Sequence, residues 1–493
     1  MKKILLTFFA LSLVLSSCEF GEGFEEMNID PNKASQLDVS NKFANAVLNT
    51  SGSRYENWRA SLIYQSTMIQ HLSSTASYWS GDKYFRSDQY ANALWDRYYP
   101  TNIKQIEDIK AQLISEGNSG SEMGMTRILR VFAFTRLTDI YGDIPYSEAG
   151  QGYINGILKP KYDTQESIYM DFLKELEEAV AQIGASTTMG KADLIFQGDT
   201  AKWKAWGNSM MLRLAMRLTK VDVATAQAWA EKAAPNTMTS NAHIAMIAHT
   251  DGPDGINKNG HGEVFDADGN PRMSKTFVDW LKDDPRLPIL AARRSDGSTD
   301  PADLIGMPNG QTGATIPDTS IYAEPNRKVI TGKDVPMVFQ TYAEVRFMLA
   351  EMAVRGWNNG GGTAQAHYDA GVKAAMQMLN VIYPKAAVIS DVEVATYLAK
   401  KPYDASKGWE MISEQYWAAT LLNEYEAFSN WRRTGFPTLV PTSDPGSDTG
   451  GPIPRRLIWP ESESSTNADN FAEAIARQGP NNMITRVWWD GGN

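Results

Sequence analysis

The residues best suited to metal chemistry are few and scattered in this chain. Among its 493 residues there are five histidines and one cysteine. The histidines are His71, His243, His249, His261 and His367. No two of them form an HExxH or HxH pair, and there is no second cysteine, so the spacing does not match a zinc site. We predict no metal and no cofactor of this kind.

One acidic segment offers oxygen ligands instead. The stretch "DADGN" carries Asp266, Asp268 and Asn270, which is similar to the opening of a calcium loop. An EF-hand requires glycine at the sixth position and glutamate at the twelfth, but this chain has Pro271 and Phe277 there. Calcium bound in some other geometry stays open as an alternative to a solvated turn. Its further ligands would be Asp251, Asp254 and Asn257.

Motifs for nucleophilic or nucleotide chemistry are not present in the sequence. We find no G-x-S-x-G nucleophile elbow, no Walker A loop and no G-x-G-x-x-G after a strand. A glycosidase needs two carboxylates across a cleft, and among 58 acidic residues such pairs can always be named. Examples are Glu461 with Glu463, and Asp283 with Asp284. We interpret them as solvated surface acids and predict that the chain is not an enzyme.

A mixture of aromatic and polar side chains stands out in "HLSSTASYWSGDKYF", residues 71–85. Tyr78, Trp79, Tyr84 and Phe85 follow no helical stripe and alternate with Ser, Gly, Asp and Lys. Flat rings beside hydrogen-bonding groups suit a sugar, since stacking provides affinity and polar groups provide orientation. The alternative is a loop that packs onto the core.

The elements that must position these residues are predicted to be helices. Apolar residues recur at helical spacing in 167–183, 199–220, 341–354 and 412–433. Asp199 or Thr200 is suited to cap the second of these helices. In the last one, the shared face comprises Trp417, Leu421, Tyr425 and Phe428. Helices are also expected at 41–72 and 122–138.

Long blocks rich in Gly, Asp, Asn and Pro separate the helices, at 251–274, 296–327 and 436–455. Loops of this length in a compact domain are usually binding or lid elements. Alternating strand patterns are scarce. We predict a mainly α fold that carries long functional loops.

Charge and composition exclude some classes of partner. The net charge is −11, and the chain has 14 tryptophans and 20 tyrosines. An acidic chain is unsuited to nucleic acid, because that binding depends on Lys and Arg neutralising phosphates. Abundant aromatics in an exported protein favour a carbohydrate ligand.

The first residues have the layout of a lipoprotein signal peptide. Lys2 and Lys3 precede the apolar stretch Ile4–Leu15, which is shorter than the about 20 residues a bilayer span needs. Leu15-Ser16-Ser17-Cys18 matches the lipobox pattern, in which the cysteine becomes the lipidated N-terminus. We therefore predict a signal peptide at 1–17, lipidation of Cys18, and a flexible acidic tether at 18–40.

Seven stretches in order along the chain resemble the SusD/RagB family of nutrient-binding outer-membrane lipoproteins. They are "NIDPNKAS" (28–35), "DIYGDIPYSEA" (139–149), "WKAWGNSMMLRLAMR" (203–217), "DDPRLP" (283–288), "TYAEVRFMLAEMAVRGW" (341–357), "EAFSNWRRTGFP" (426–437) and "IPRRLIWPESE" (453–463). The last two are similar to the SusD-like branch with an R-R-T-G-[YF]-P element. The resemblance covers nearly the whole chain behind the signal peptide.

The resemblance implies a fold and a role. The fold would be a single α-helical domain, here 41–493, with four degenerate tetratricopeptide-like helix pairs and a loop-rich half. The protein would be non-catalytic, anchored to the outer face of the outer membrane, and would deliver a nutrient to a TonB-dependent transporter of the SusC type. The shared motifs would be structural, with Arg432 and Arg433 as buried or paired charges.

In this family, ligand residues come from variable loops that here are 71–85 and roughly 251–275. The predicted ligand-binding residues are Tyr78, Trp79, Asn257, Asn259, His261 and Phe265. An oligosaccharide is the expected ligand. The alternatives are a peptide, a surface-anchored α-helical glycoside hydrolase, or a scaffold for the transporter complex without a ligand of its own.

Overall fold

Helices dominate the backbone of the protein. The computed structural model describes residues 37–252 and 257–492, so the predicted signal peptide, Cys18 and most of the tether lie outside the described residues. The helices are α1 (Val39–Ser51), α2 (Arg54–Glu56, continued by a π-helix at Asn57–Ser66), α3 (Asp88–Ala91), α4 (Ala93–Arg97, continued by a π-helix at Tyr98–Ile103), α5 (Lys104–Ser115), α6 (Ser121–Tyr141), α7 (Gly152–Asn155), α8 (Gln165–Gln182), α9 (Thr200–Arg217), α10 (Val223–Ala233), α11 (Gly260–Ala267), α12 (Lys275–Trp280), α13 (Leu287–Leu290), α14 (Tyr342–Val354), α15 (Ala364–Ile382), α16 (Asp391–Lys400), α17 (Gly408–Ala419), α18 (Glu424–Thr434), α19 (Glu463–Thr466) and α20 (Ala468–Gln478). The prediction of a mainly α fold is confirmed.

The strands are short and form two-stranded antiparallel sheets. They are β1 (Leu72–Ser73), β2 (Ile144–Pro145), β3 (Tyr162–Asp163), β4 (Ala245–Ile247), β5 (Arg272–Met273), β6 (Ala291–Arg293), β7 (Ala323–Pro325) and β8 (Met337–Gln340). The pairs are β1 with β5, β2 with β3, β4 with β8, and β6 with β7. Leu72 lies opposite Met273, so this pairing joins two segments about 200 residues apart in the chain.

Neighbouring helices pack in pairs along the chain. The pairs α5–α6, α8–α9, α14–α15 and α17–α18 lie side by side, and α8 also packs on α6. Their apolar faces contribute to a continuous core that extends from Val39 to Trp489. This arrangement of paired helices matches the scaffold that the resemblance implies.

Helix ends follow the capping chemistry of the sequence. Asp199 accepts hydrogen bonds from the backbone N–H groups of Ala201 and Lys202, which confirms Asp199 as the cap of α9. Asp38 caps α1 in the same way through Ser40 N. The first helix thus begins at Val39, inside the last two residues of the predicted tether.

The predicted helix at 412–433 is wrong in one respect, because the chain breaks it into α17 and α18. Leu422 has φ = +64° between them. His71 holds this break, with Nδ1 2.8 Å from Glu424 Oε2 and Nε2 3.0 Å from the carbonyl oxygen of Trp417. A contact from residue 71 therefore overrides the local helical pattern. The predicted helix at 41–72 is likewise interrupted, at Gly52, where φ is +84°.

The two arginines of the "WRRTGFP" stretch are buried, as predicted. Arg433 donates to both oxygens of Glu351, each at 2.7 Å. Arg432 donates to the backbone carbonyls of Asp139 and Arg455, at 2.6 and 2.8 Å. These arginines join α18 to α14 and to the end of α6, so the motif stabilises the scaffold.

Candidate functional site

The two segments predicted separately to bind ligand lie together in the structure. The β1–β5 pairing brings the loop after α2 beside the loop after α11. The hydroxyl of Tyr78, from the first loop, donates to Asp268 Oδ2, from the second, at 3.0 Å. Sequence reasoning named both loops, and the fold places them at one surface.

Asp268 is the residue that organises this surface. It is buried, and its Oδ2 also accepts from Trp79 Nε1 at 2.9 Å. Its Oδ1 accepts from the backbone N–H and the side-chain amide of Asn270, at 2.9 and 2.8 Å. The Asn270 amide donates in addition to the Tyr78 hydroxyl at 2.7 Å. The network fixes the positions of the Tyr78 ring and of the Asn270 amide.

Tyr78 remains a neutral phenol at ordinary pH. Partial burial, with the adjacent Asp268 carboxylate, raises the pKa of Tyr78 to about 12. A neutral hydroxyl both donates and accepts hydrogen bonds. Tyr78 therefore presents a ring face and a polar edge side by side, which is the combination a sugar needs.

The first loop is anchored to the body by a buried ion pair. Lys83 Nζ lies 3.0 Å from Asp82 Oδ1 and donates to the carbonyls of Ser74 and Trp79. The backbone N–H of Gly310 donates to Asp82 Oδ2 at 3.1 Å. Both charges are desolvated and compensated, so removing either partner would be costly. The loop presents Tyr78 from a rigid base.

An aromatic face lies next to this network. Trp58 meets Tyr78 edge to face, with ring centroids 6.1 Å apart and planes at 85°. Both rings are half-buried. Arg54 lies 5.1 Å above the Trp58 ring, and Arg59 lies over the rings of Tyr55 and Tyr90 at 4.0 and 5.6 Å. We define the aromatic face as Arg54, Tyr55, Trp58, Arg59, Tyr78 and Tyr90.

Four predicted ligand residues are buried, and these predictions are corrected. Trp79 has no exposed surface, because its indole N–H is turned inward to Asp268. Phe265 belongs to the core at 1% exposure. Neither ring has a face that a ligand can reach in this structure.

Asn259 and His261 are buried for reasons of local structure. Asn259 caps α11 by accepting from Gly262 N, and its amide donates to the carbonyl of Val335 at 3.0 Å. His261 Nε2 lies 3.2 Å from Ser61 Oγ inside the protein. Burial lowers the pKa of His261 to about 3, so the imidazole is neutral. Both residues hold α11 in place below the surface.

Asn257 keeps part of its surface exposed but lies apart from the network. Its carbonyl accepts from Thr250 N at 2.8 Å and lies 3.1 Å from His249 Nδ1. These contacts join Asn257 to the end of the segment at His249 and Thr250. Among the six predicted ligand residues, Tyr78 and Asn257 retain exposed surface.

Sequence reasoning missed Trp58 and Asn270. Trp58 lies in a segment that was predicted only as helix, and its helical spacing gives no sign of exposure. Asn270 was considered only as a calcium ligand. The signal that could have identified Asn270 is its position two residues after an aspartate in the second predicted ligand loop.

The carboxylates considered for calcium that the structure describes are engaged by protein donors. Asp268 accepts the hydrogen bonds described above, Asp266 pairs with Lys333 at 2.8 Å, and Asp251 lies 3.5 Å from Lys258. Asp254 lies outside the described residues. Over 37–252 and 257–492, no group of three acidic, histidine or cysteine residues is arranged to hold a metal ion.

Three of the four carboxylates considered as catalytic pairs also have other partners. Asp284 is buried and accepts from Arg286 Nη2 at 2.7 Å. Glu463 accepts from the Tyr162 hydroxyl at 2.7 Å, and Glu461 pairs with Arg86. These contacts connect loops to the scaffold.

A separate groove of about 570 Å³ lies elsewhere on the molecule. It contains Tyr99, Tyr153 and Leu158, with Lys104 and Glu463 at its edges. Tyr153 is 59% exposed and Leu158 is 83% exposed. The groove is mostly apolar and shares no residue with the aromatic face.

Comparison with known proteins identifies the family. Residues 31–460 match the SusD-like family model described as "Starch-binding associating with outer membrane". No curated protein gives a significant sequence match. Within the described ranges, no helix is both long and apolar enough to cross a bilayer.

Solved structures agree with the family match. One, named a chitin-binding protein, is 33% identical with a TM-score of 0.84, covering 92% of this chain and all of its own. A Bacteroidetes SusD-like structure is 26% identical with a TM-score of 0.81 and the same coverages. A chitin-binding SusD homolog from Flavobacterium johnsoniae, at 24% identity and a TM-score of 0.79, covers 92% of this chain and 98% of its own and supports the fold alone.

The family description and the name of the 33%-identical structure are those of binding proteins, in agreement with the prediction that the chain is not an enzyme. The motif order, the paired helices and the match over residues 31–460 lead to one conclusion. The chain belongs to the SusD-like family, which is described as starch-binding and associated with the outer membrane.

Proposed function

We propose that this protein is a non-catalytic lipoprotein of the outer membrane that captures an oligosaccharide on the aromatic face and delivers it to a SusC-like TonB-dependent transporter. Cys18 carries the lipid anchor, and the binding side faces outward. Tyr78 provides a ring and a hydroxyl, Trp58 the adjoining ring, and Asn270 an amide. Asn257 is retained as a candidate contact at the second loop.

The observation that carries the proposal is the Trp58–Tyr78 pair with its polar edge. The rings lie at 85° to each other, so they form two walls that meet at nearly a right angle. Tyr78 and Asn270 place hydrogen-bonding groups along one wall. Sugar binding commonly uses apolar stacking with a few fixed polar groups, and this arrangement contains both.

The family description and the printed names of relatives support a carbohydrate ligand. The 33%-identical structure is named a chitin-binding protein, so chito-oligosaccharides belong among the first ligands to test. Delivery to a transporter is supported by the family resemblance.

The test is calorimetric titration of the purified protein with a panel of oligosaccharides that includes chitohexaose, followed by chromatography of the same mixtures. We expect saturable binding of at least one oligosaccharide and no products. Trp58→Ala should weaken that binding about 30-fold, since truncating a central aromatic anchor costs about 2 kcal/mol. Products would instead indicate a glycoside hydrolase.

The matched control is Tyr153→Ala, which removes an exposed ring from the separate groove. It should leave the affinity within about twofold of the wild-type value. Equal effects of the two substitutions, or binding of peptides but of no oligosaccharide, would contradict the proposal. Capture of a SusC-like barrel from outer-membrane extracts by the intact lipoprotein tests the delivery step.

A further inference from the structure

The aromatic face carries positive charge on a protein that is strongly acidic overall. Arg54 and Arg59 flank Trp58, at 5.1 and 5.7 Å from its ring. Within the described parts of the chain, neither guanidinium has a carboxylate in ion-pair range. Arg59 donates one hydrogen bond to the Tyr55 carbonyl, and its Nε has no partner.

The carboxylate nearest to these arginines along the chain is already engaged. Glu56 is buried and accepts from the backbone N–H of its cap, Ser53. Arg97 is the charged neighbour of Glu56, with its Nε 4.0 Å from Glu56 Oε2. The charges of Arg54 and Arg59 are therefore left for another partner, on a molecule with net charge −11.

More arginines surround the polar edge of the face. Arg272 donates to the carbonyl of Gly269, and Arg327 to that of Asp268. Arg294 lies against Gly269 and is about one-third exposed. Burial lowers the pKa of Arg272 to about 10, and the positive charges of Arg294 and Arg327 contribute to this lowering. Positive groups thus crowd this edge.

Carboxylates accompany the arginines at this edge. Glu324 is shared by Arg294 and Arg327, at 3.1 and 2.9 Å. Hydrogen bonds from Ser320 lower the pKa of Asp318, and the nearby Arg272 contributes to the same shift. Asp266 and Asp268 are further carboxylates here. Lys333 lowers the pKa of Asp266, and Arg327 contributes to the same shift. The positive charges that stay available to a ligand are therefore those of Arg54 and Arg59 over Trp58.

From this charge pattern we propose that the captured oligosaccharide is anionic, bearing uronate carboxylates or sulfate groups that pair with Arg54 and Arg59 while its rings pack on Trp58 and Tyr78. The inference depends on the proposed function, because it names the ligand class of the same face. Guanidinium groups bind carboxylate and sulfate oxygens through paired N–H donors. A neutral glycan would leave both guanidinium groups without an anionic partner.

Two oligosaccharides of equal length provide a matched test. Hyaluronan hexasaccharide and chitohexaose both contain N-acetylglucosamine, but only the former carries carboxylates. We expect the purified protein to bind hyaluronan hexasaccharide at least about fivefold more tightly at low salt, which corresponds to about 1 kcal/mol. Raising sodium chloride from 50 to 500 mM should remove most of this preference, because exposed charges are screened.

The key variant is Arg54→Gln, whose side chain is exposed and makes no hydrogen bond in the described structure. It should weaken hyaluronan binding about two- to fivefold and change chitohexaose binding by less than about twofold. Arg54→Lys keeps the charge and should retain most of the preference. Arg97→Gln is the matched control, since it removes a charge from a neighbouring helix that does not flank Trp58.

A second pair of ligands separates the two sources of negative charge. Chondroitin sulfate and its desulfated form differ only in sulfate, so tighter binding of the former indicates sulfate pairing. Equal binding of hyaluronan and chitohexaose, both lost in Trp58→Ala, would overturn the charge inference and leave the proposed function standing. Absence of binding for every oligosaccharide would overturn both.

Discussion

Two tryptophans near the site show how burial decides the role of a residue. Trp58 is half-buried, whereas Trp79 is fully enclosed and donates to Asp268. The order "SYWS" gives Tyr78 and Trp79 equal standing as ligand residues. Both side chains donate to Asp268, which lies about 190 residues away in the chain, so no local pattern can distinguish their burial.

Substitution of each tryptophan should therefore affect a different property. Trp79→Ala leaves a cavity and removes one of the two hydrogen bonds to Asp268 Oδ2, so we expect the free energy of unfolding to fall by about 3–5 kcal/mol. Trp58→Ala should cost less than about 2 kcal/mol, because part of its ring already contacts water. Urea denaturation followed by circular dichroism measures both. Similar losses for both variants would contradict the assignment.

His261 is the residue whose titration should make stability depend on pH. Its pKa falls from 6.5 to about 3 through burial, with smaller contributions from Arg136 and His249. Between these values the unfolded chain binds a proton that the folded chain does not. Stability is therefore fully present above pH 6.5 and declines as the pH falls, by about 1.4 kcal/mol per pH unit for one such group.

The variant His261→Gln should remove this dependence while keeping a polar partner for Ser61. We expect it to be less stable than wild type at pH 7.5, yet to lose less stability between pH 6.5 and 4.5. Urea unfolding at four pH values over this range measures the difference. Parallel pH profiles for the two proteins would show that His261 does not titrate in this way.

At the scale of elements, the helices were the most predictable part of the fold. The stripe in 167–183 corresponds to α8, and 341–354 corresponds closely to α14. The apolar patterns did not predict helix breaks that depend on distant residues. An example is the break at Leu422, where His71 contacts Glu424. The pairing of β1 with β5 was also missed, because two residues per strand leave no periodic signal.

Where two helices lie close together, a glycine at the contact should be required for full stability. A methyl group at Gly124 of α6 would lie 2.6 Å from the carbonyl oxygen of Ala179 in α8. Gly124→Ala should thus separate the two helices and lower the free energy of unfolding by about 1–3 kcal/mol, despite the better helix propensity of alanine.

Gly313 provides the control for this substitution. No atom lies within 4 Å of a methyl group built there, so Gly313→Ala should change the free energy of unfolding by less than about 0.5 kcal/mol. Chemical denaturation of both variants makes the comparison. A neutral Gly124→Ala would show that the α6–α8 contact yields more readily than the structure indicates.

At the scale of the whole molecule, the order of motifs identified the family, and the scaffold follows from it. The site was less accessible to sequence reasoning. Both predicted loops lie at one surface, but four of the six predicted ligand side chains are buried. Loops expose and bury neighbouring residues according to tertiary contacts, and those contacts come from β5, Asp268 and Lys83. The lipid anchor at Cys18 stays a prediction, since it lies outside the described residues.

The most direct test of the account is a crystal structure of the protein with an oligosaccharide that it binds. We expect a sugar ring packed on Trp58 or Tyr78, with hydroxyl groups within hydrogen-bond distance of Tyr78 Oη and Asn270 Oδ1. An oligosaccharide seated in the groove of Tyr99, Tyr153 and Leu158, with the aromatic face empty, would contradict it.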